Sequence, residues 1–286
     1  MGRVIAIKTG STLVSPAVPD GMSRRSPIAY TMLFQRRKNR IKVPVKCFVL
    51  QVAGHTVLID AGWSPLDARH ARKHLGFGLW YASEPVLKPY QAVVPQLHSF
   101  GIKVEDLDAV MMTHLDCDHA SGLDAFRGFH PVLVSQEEVQ YAEENKVKSK
   151  VRYNDKLWSG VDFTSINFEE DDDAPFGLSS DIFSDGSITA YLVPGHSKGS
   201  VVYVGREDGR YFAIVGDTGY NQKSWTELRM PGVVYDKENL LHGLEWVRGM
   251  LEDKNCAGVF CAHDPAIAQG EYDIEGKANG AQGPIR

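Results

Sequence analysis

Cysteine is scarce in this chain: four in 286 residues, at Cys47, Cys117, Cys256 and Cys261. So few, spaced so unevenly, exclude a disulfide scaffold and a structural zinc site built on cysteine. Long apolar runs are missing too. Nothing approaches the ~20 residues of a membrane span. The first apolar patch, residues 4–7, is shorter than the ~7-residue minimum of a signal-peptide core. A basic surplus is also lacking, because 36 acidic residues outnumber 31 basic ones and the formal charge is −5. Sequence-independent binding to nucleic acid needs a basic footprint, so that class of partner is disfavoured. No fixed-period repeat occurs, which excludes solenoids and propellers. No stretch has the composition of a flexible linker. The expectation is a cytoplasmic protein with no membrane or nucleic-acid partner. It would fold as one domain over residues 1–286, with a polar, loosely held tail from 270.

What is present alternates between strands and helices. Strands are expected at residues 4–8, 45–52, 56–60, 108–113, 131–134, 188–193, 201–204, 211–215 and 258–261, where apolar and β-branched residues cluster. Ala53-Gly54-His55 has the composition of a hairpin turn. Helices are expected at 67–75, 90–100 and 238–251, with Pro95 interrupting the second. Ser135-Gln136-Glu137-Glu138 has the form of a capping box. A covering helix and loop are expected over 136–158. This order suggests two sheets with helices outside them. The acidic run at 169–173 and the basic clusters Arg24-Arg25 and Arg36-Arg37-Lys38 read as solvated faces.

The chemistry is concentrated in Thr113-His114-Leu115-Asp116-Cys117-Asp118-His119. Two histidines and two aspartates follow an apolar strand directly, at the kind of sheet rim where ligands gather. In an extended chain His114, Asp116 and Asp118 point one way, and a turn adds His119. Alternation points Cys117 away from them, as a buried structural thiol. Three further islands repeat the pattern of strand then polar tip. They place His196, Asp217 and His263 just past strands. Together the islands offer four histidines and three aspartates, enough for two metals sharing a carboxylate.

These residues resemble the metallo-β-lactamase superfamily of dinuclear metallohydrolases. Its hallmark is His-x-His-x-Asp-His followed by a distant His, Asp and His. Leu58-Ile59-Asp60-Ala61-Gly62 is similar to the family's early strand and turn. Within the superfamily the chain is most similar to the N-acyl homoserine lactone lactonases. Tyr220 stands three residues after Asp217, Asp264 follows the last histidine, and residues 58–65 match as well. The resemblance implies an α/β, four-layer αββα sandwich. It implies a lactone-opening hydrolase of the quorum-quenching type, working by attack of a metal-bridging hydroxide. Site one would be His114, Asp116 and His196. Site two would be Asp118, His119 and His263, with Asp217 bridging. Tyr220 would hydrogen-bond the developing oxyanion, and Asp118 would carry the proton to the leaving oxygen. Other ester or thioester hydrolysis, or diiron redox chemistry, are the alternatives within the same fold.

One departure stands out. The family's second histidine is Asp116 here. With Asp116 ionised, three carboxylates and a hydroxide cancel two divalent cations, where histidine would leave one net positive charge. The expectation is a less electrophilic centre that holds zinc, with iron or manganese as alternatives because carboxylate is the harder ligand. The related flavodiiron branch has a carboxylate at this position and holds iron. For the substrate, the aromatic stretch at 75–81 is expected to be a loop that either forms an acyl mouth or simply packs. Met22, Met32 and Phe34 are further candidates for lining the mouth. The apolar run at 28–34 is either a core strand or a dimer contact, so the protein would be a monomer or homodimer.

Overall fold

A computed structural model describes residues 2–23, 26, 28–33, 35–144, 152–275 and 278–279. Seven strands open the chain. They are β1 (Arg3–Val14), β2 (Ile41–Val52), β3 (His55–Ile59), β4 (Glu84–Val86), β5 (Ala109–Met111), β6 (Val132–Val134) and β7 (Phe163–Ser165). Interleaved helices are α1 (Asp67–His74), α2 (Phe77–Ala82), α3 (Val93–Ser99), α4 (Cys117–Ala120) and α5 (Gln136–Glu144). A second run of strands follows: β8 (Glu169–Glu170), β9 (Leu178–Asp181), β10 (Ile188–Leu192), β11 (Val201–Glu207), β12 (Arg210–Gly216) and β13 (Cys256–Cys261). Helices α6 (Gln222–Thr226) and α7 (Lys237–Glu252) separate β12 from β13, and β14 (Gly270–Asp273) and β15 (Ala278–Asn279) come last.

Two sheets form. The first has the order β15-β14-β1-β2-β3-β5-β6-β7, with β4 against β1. The second has the order β13-β12-β11-β10-β9-β8. The β2–β3 hairpin pairs Val52 with His55, so the turn is Ala53-Gly54 alone. Both turn residues have positive φ, 52° and 91°, as a type I′ turn requires. The parallel β3–β5–β6 stretch is largely buried on both faces, which explains its apolar runs, while β7 at the sheet edge is partly exposed.

Strand alternation sorts the core. Val4, Ala6, Phe48 and Leu50 face the second sheet, while Ile5, Ile7, Cys47 and Val49 face the helices α1–α4. Between the sheets, the Phe48 and Phe260 rings meet edge-on at 5.8 Å, and Tyr203 donates to Met112 O at 2.8 Å. On the far side of the second sheet, Trp246 of α7 packs on Tyr191 of β10 at 5.3 Å. Each fully buried aromatic or aliphatic side chain contributes about 1.5–3 kcal/mol. The four layers expected from the sequence are present.

Several elements differ from expectation. α3 begins at Val93, because Ala92 is extended at ψ 158°. Pro95 therefore falls in its first turn, where a missing N–H costs little. Residues 77–82 are helical, not a loop, with Gly76 as the N-cap at φ 81°. The apolar run at 28–34 is no strand: Ala29–Thr31 is a single 3-10 turn ended by Met32 at φ 63°, while Phe34 lies outside the described residues. So do Arg24 and Arg25. The capping box at Ser135 is half made. Ser135 Oγ accepts from Glu138 N at 3.2 Å, but the Glu138 carboxylate turns elsewhere. It accepts from Leu115 N (3.0 Å), Tyr153 Oη (3.0 Å) and Gly199 N (3.1 Å), fully buried. The acidic run at 169–173 begins as the exposed edge strand β8, where charge discourages further pairing.

Candidate metal centre

Most of the candidate ligands leave a strand end. β5 runs into His114, β10 into His196, β12 into Asp217 and β13 into His263. Gly216 has φ +52°, and a Cβ there would meet the Thr113 side chain at 2.8 Å. Glycine therefore lets β12 turn Asp217 inward. Asp116, at φ −62° and ψ 150°, is the last extended residue before α4. Asp118 is thus not delivered by strand alternation, as the sequence had suggested. The first turn of α4 swings both Asp118 and His119 into place.

Two sets of donors converge, with ligand atoms within 4.8 Å of one another: His114, Asp116 and His196, and Asp118, His119 and His263. Asp217 stands between them. Its Oδ1 lies 3.3 Å from His119 Nε2 and 3.3 Å from His263 Nε2, and its Oδ2 lies 3.6 Å from His196 Nε2. These spacings match the edge of a tetrahedron around a metal, roughly 3.4 Å for bonds of about 2.1 Å.

The outer nitrogens fix the imidazole tautomers. His196 Nδ1 donates to Val233 O (3.0 Å), His263 Nδ1 to Pro44 O (2.8 Å) and His119 Nδ1 to Asp60 Oδ2 (2.8 Å). His114 Nδ1 lies 2.9 Å from Thr113 Oγ1, which in turn donates to Asp60. An acceptor at Nδ1 leaves the Nε2 lone pair free to ligate. The inner atoms fit a cation and little else. His114 Nε2 and Asp217 Oδ1 are buried without a hydrogen-bond partner, and His119 Nε2 faces His263 Nε2 at 3.4 Å. Buried polar atoms left orphaned in this way point to a bound ion.

Charges shape the rest. Burial opposes ionisation of Asp217, yet His263 and His119 hold its carboxyl well below the usual range. Burial also opposes ionisation of Asp116, and here the Arg152 guanidinium wins, with His114 and His196 adding to it. Tyr220 is buried and stacks on His263 at 4.7 Å, with Asp217 close enough to act on its hydroxyl. Burial first, then Asp217, push its phenol well above the ordinary value, so it stays protonated and able to donate.

The sequence profile of the metallo-beta-lactamase superfamily matches residues 40–246. The chain belongs to the metallo-beta-lactamase superfamily. His263 lies beyond the matched residues, and the fold brings it to the site. The N-acyl homoserine lactonase AttM of Agrobacterium fabrum is 27% identical over 78% of this chain and 83% of its own length. A Bacillus thuringiensis AiiA variant with N-decanoyl-L-homoserine at its active site superposes with a TM-score of 0.71. It is 17% identical and covers 92% of this chain and 93% of its own. AidC, described as a dizinc quorum-quenching lactonase, superposes at 0.59 with 13% identity, over 92% of this chain and 88% of its own.

In this superfamily member the centre lies at the floor of a cavity of about 810 Å³. Asp116, Asp118, Tyr220 and His263 form the floor, and Val14, Val18, Val43, Leu79 and Val233 form much of the wall. The aromatic stretch contributes only Leu79, with Ala82 and Ser83 just beyond it. Phe77 is exposed while Trp80 and Tyr81 are half-buried, and Arg72, Arg37 and Arg40 lie over the three rings at 5.1, 5.7 and 5.1 Å. Met22 is 79% exposed and Met32 is buried in the core, so neither lines the cavity; Tyr30 does. Cys117 is buried, as expected, yet touches the cavity wall. Two functional residues escaped the sequence reading. Asp60 was visible only as part of a strand-end motif, and Arg152 as one of several basic residues after α5.

Proposed function

We propose that this chain is a metal-dependent hydrolase that opens lactone rings, with N-acyl homoserine lactones as the substrate class. The observation that carries the reading is Asp217, set between two ligand triads whose members Asp116, Asp118 and His263, with Tyr220, line an apolar-walled cavity. The lactonase relatives support the substrate class. The chain would work as one domain over 1–286, in the cytoplasm, and remove lactone signals.

His114, Asp116 and His196 would hold one divalent cation; Asp118, His119 and His263 the other; and Asp217 both. Zinc is the proposed metal, given four imidazoles in the set and a dizinc relative; iron or manganese are the alternatives that Asp116 favours. Two such cations supply Lewis acidity and a hydroxide nucleophile at neutral pH.

The protein side of the chemistry follows from its own groups. The valine-rich wall takes up the acyl chain and excludes water from it. Tyr220 donates a hydrogen bond to the carbonyl oxygen as negative charge gathers there. Asp118, at the cavity floor, takes up the proton that the attacking hydroxide releases on adding to the carbonyl and passes it to the departing ring oxygen.

Ring opening releases a carboxylic acid, so a pH indicator reads it directly. Metal-loaded protein should turn over acyl-homoserine lactones with kcat/KM of at least ~10⁴ M⁻¹s⁻¹. Absence of turnover on short-chain, long-chain and simple γ-lactones, with metal bound, would overturn the substrate class.

A further inference from the structure

The residue that answers Asp116 comes from elsewhere in the chain. Arg152 Nε donates to Asp116 Oδ1 at 2.6 Å and Nη2 to Asp116 Oδ2 at 2.8 Å. This is the two-pronged pairing in which guanidinium binds carboxylate most firmly. The third nitrogen, Nη1, donates to His196 O at 2.8 Å, so Arg152 grips two members of one ligand triad. Both charged side chains are largely buried, at 16% and 15% exposure. Asp116 Oδ2 meanwhile stays 3.0 Å from His196 Nε2 and 3.4 Å from His114 Nε2, within the donor set.

We propose that Arg152 is a positioning residue that makes Asp116 equivalent in charge to the histidine it replaces. Asp116, Asp118 and Asp217 give the donor shell a formal charge of three negatives, and the guanidinium returns it to two. A shell with histidine at 116 and no arginine has the same two. The departure in the motif is therefore compensated within the fold, and the centre keeps its electrophilic character. The planar fork also fixes the orientation of the carboxylate, a task an imidazole performs by its own ring and Nδ1 bond. Loss of either partner alone unbalances the site. Without Arg152 a buried carboxylate is left bare and takes up a cation more avidly. With histidine at 116, Arg152 becomes a bare cation beside the metal and repels it.

The inference rests on the metal-centre part of the proposed function and not on the substrate, and its test reads metal alone. Zn²⁺ and Co²⁺ are titrated into metal-free wild type, Arg152→Met, Asp116→His and the double variant, in competition with a chromophoric chelator. Circular dichroism confirms that each variant is folded. Arg152→Met should bind metal about tenfold or more tighter than wild type, Asp116→His about tenfold or more weaker, and the double variant should return to within a few-fold. The visible Co²⁺ spectrum of the double variant should match a site with an added nitrogen ligand. Arg152→Lys, which keeps the charge but not the fork, should fall between wild type and Arg152→Met. Weaker binding in both single variants, with the double weakest, would make Arg152 a mere loop clasp and overturn the proposal. Failure of the lactone assay with this metal pattern intact would overturn the substrate reading and leave Arg152 where it is.

Discussion

His119 Nδ1 and Asp60 Oδ2 are 2.8 Å apart, both buried, and 59 positions apart in sequence. Asp60 has φ +62°, a conformation that aims its carboxylate back across the end of β5. The same carboxylate takes Thr113 N at 2.8 Å and Thr113 Oγ1 at 2.9 Å, and Thr113 holds His114. One residue thus orients an imidazole in each triad. Asp60→Asn should weaken metal binding about tenfold to a hundredfold. Equilibrium dialysis against zinc checks this, and wild-type affinity would remove Asp60 from the support of the site.

Tyr220 offers a cleaner separation of binding from chemistry. It touches no metal in the proposed reading, yet its ring stacks on the candidate ligand His263. Tyr220→Phe should retain both metals and lose about tenfold to a thousandfold in kcat. Metal content and steady-state rates on one preparation decide the matter. Unchanged kcat would assign the stacked ring to packing alone.

Substrate length is read by the wall. Leu79 of α2 lines the cavity, and its aromatic neighbours Phe77, Trp80 and Tyr81 do not. Leu79→Trp should lower kcat/KM for a ten-carbon acyl chain by about tenfold and spare a four-carbon one, as filling a pocket penalises the larger ligand. Equal losses on both chains would mean that the acyl group lies elsewhere.

Lys46 gives a pH signature. It is 2% exposed, donates to Asp264 O at 2.6 Å, and burial pushes its amine down to about 8 from 10.5. Between those values the unfolded chain binds more protons than the folded one. Stability from this group therefore rises from about pH 8 to about pH 10.5, and charging Lys46 below pH 8 costs stability. Metal-free wild type should gain up to about 1.4 kcal/mol per pH unit relative to Lys46→Met across that window. Urea unfolding at pH 7, 8, 9 and 10 measures the difference, and parallel curves would count against it.

The sandwich and the convergence of a His/Asp cluster at its edge were legible because they depend on local signals. β-Branched alternation marks β2, β3, β10 and β11, and a run such as His114 to His119 has few other uses. Asp217 and His263 could be singled out because each follows an apolar strand. The misreadings share a cause in tertiary context. Gly76 and Gly78 suggested a loop, but α2 is held by Leu79 in the core and by arginines over its rings. Asp118 was placed by strand alternation because nothing in the motif announces a helix starting at Cys117. Arg152 was hidden among Lys146, Lys148 and Lys150. The visible signal was indirect: an aspartate where an imidazole is usual calls for a counter-charge, and only the folded chain says which arginine provides it.

Glu138 carries a final implication. Its carboxylate holds the loop between His114 and Asp116 with one oxygen and the loop after His196 with the other. Those loops belong to different sheets. The residue acts as a rivet through the seam of the molecule, fastened on a helix that itself contributes no ligand. Any movement of that helix must be transmitted to both loops at once, so His114 and Asp116 cannot shift while His196, the third member of their triad, stands still. Variation that adapts this enzyme to new substrates is thereby steered to the outer wall of the cavity, where Leu79 and the valines can change without disturbing the rivet.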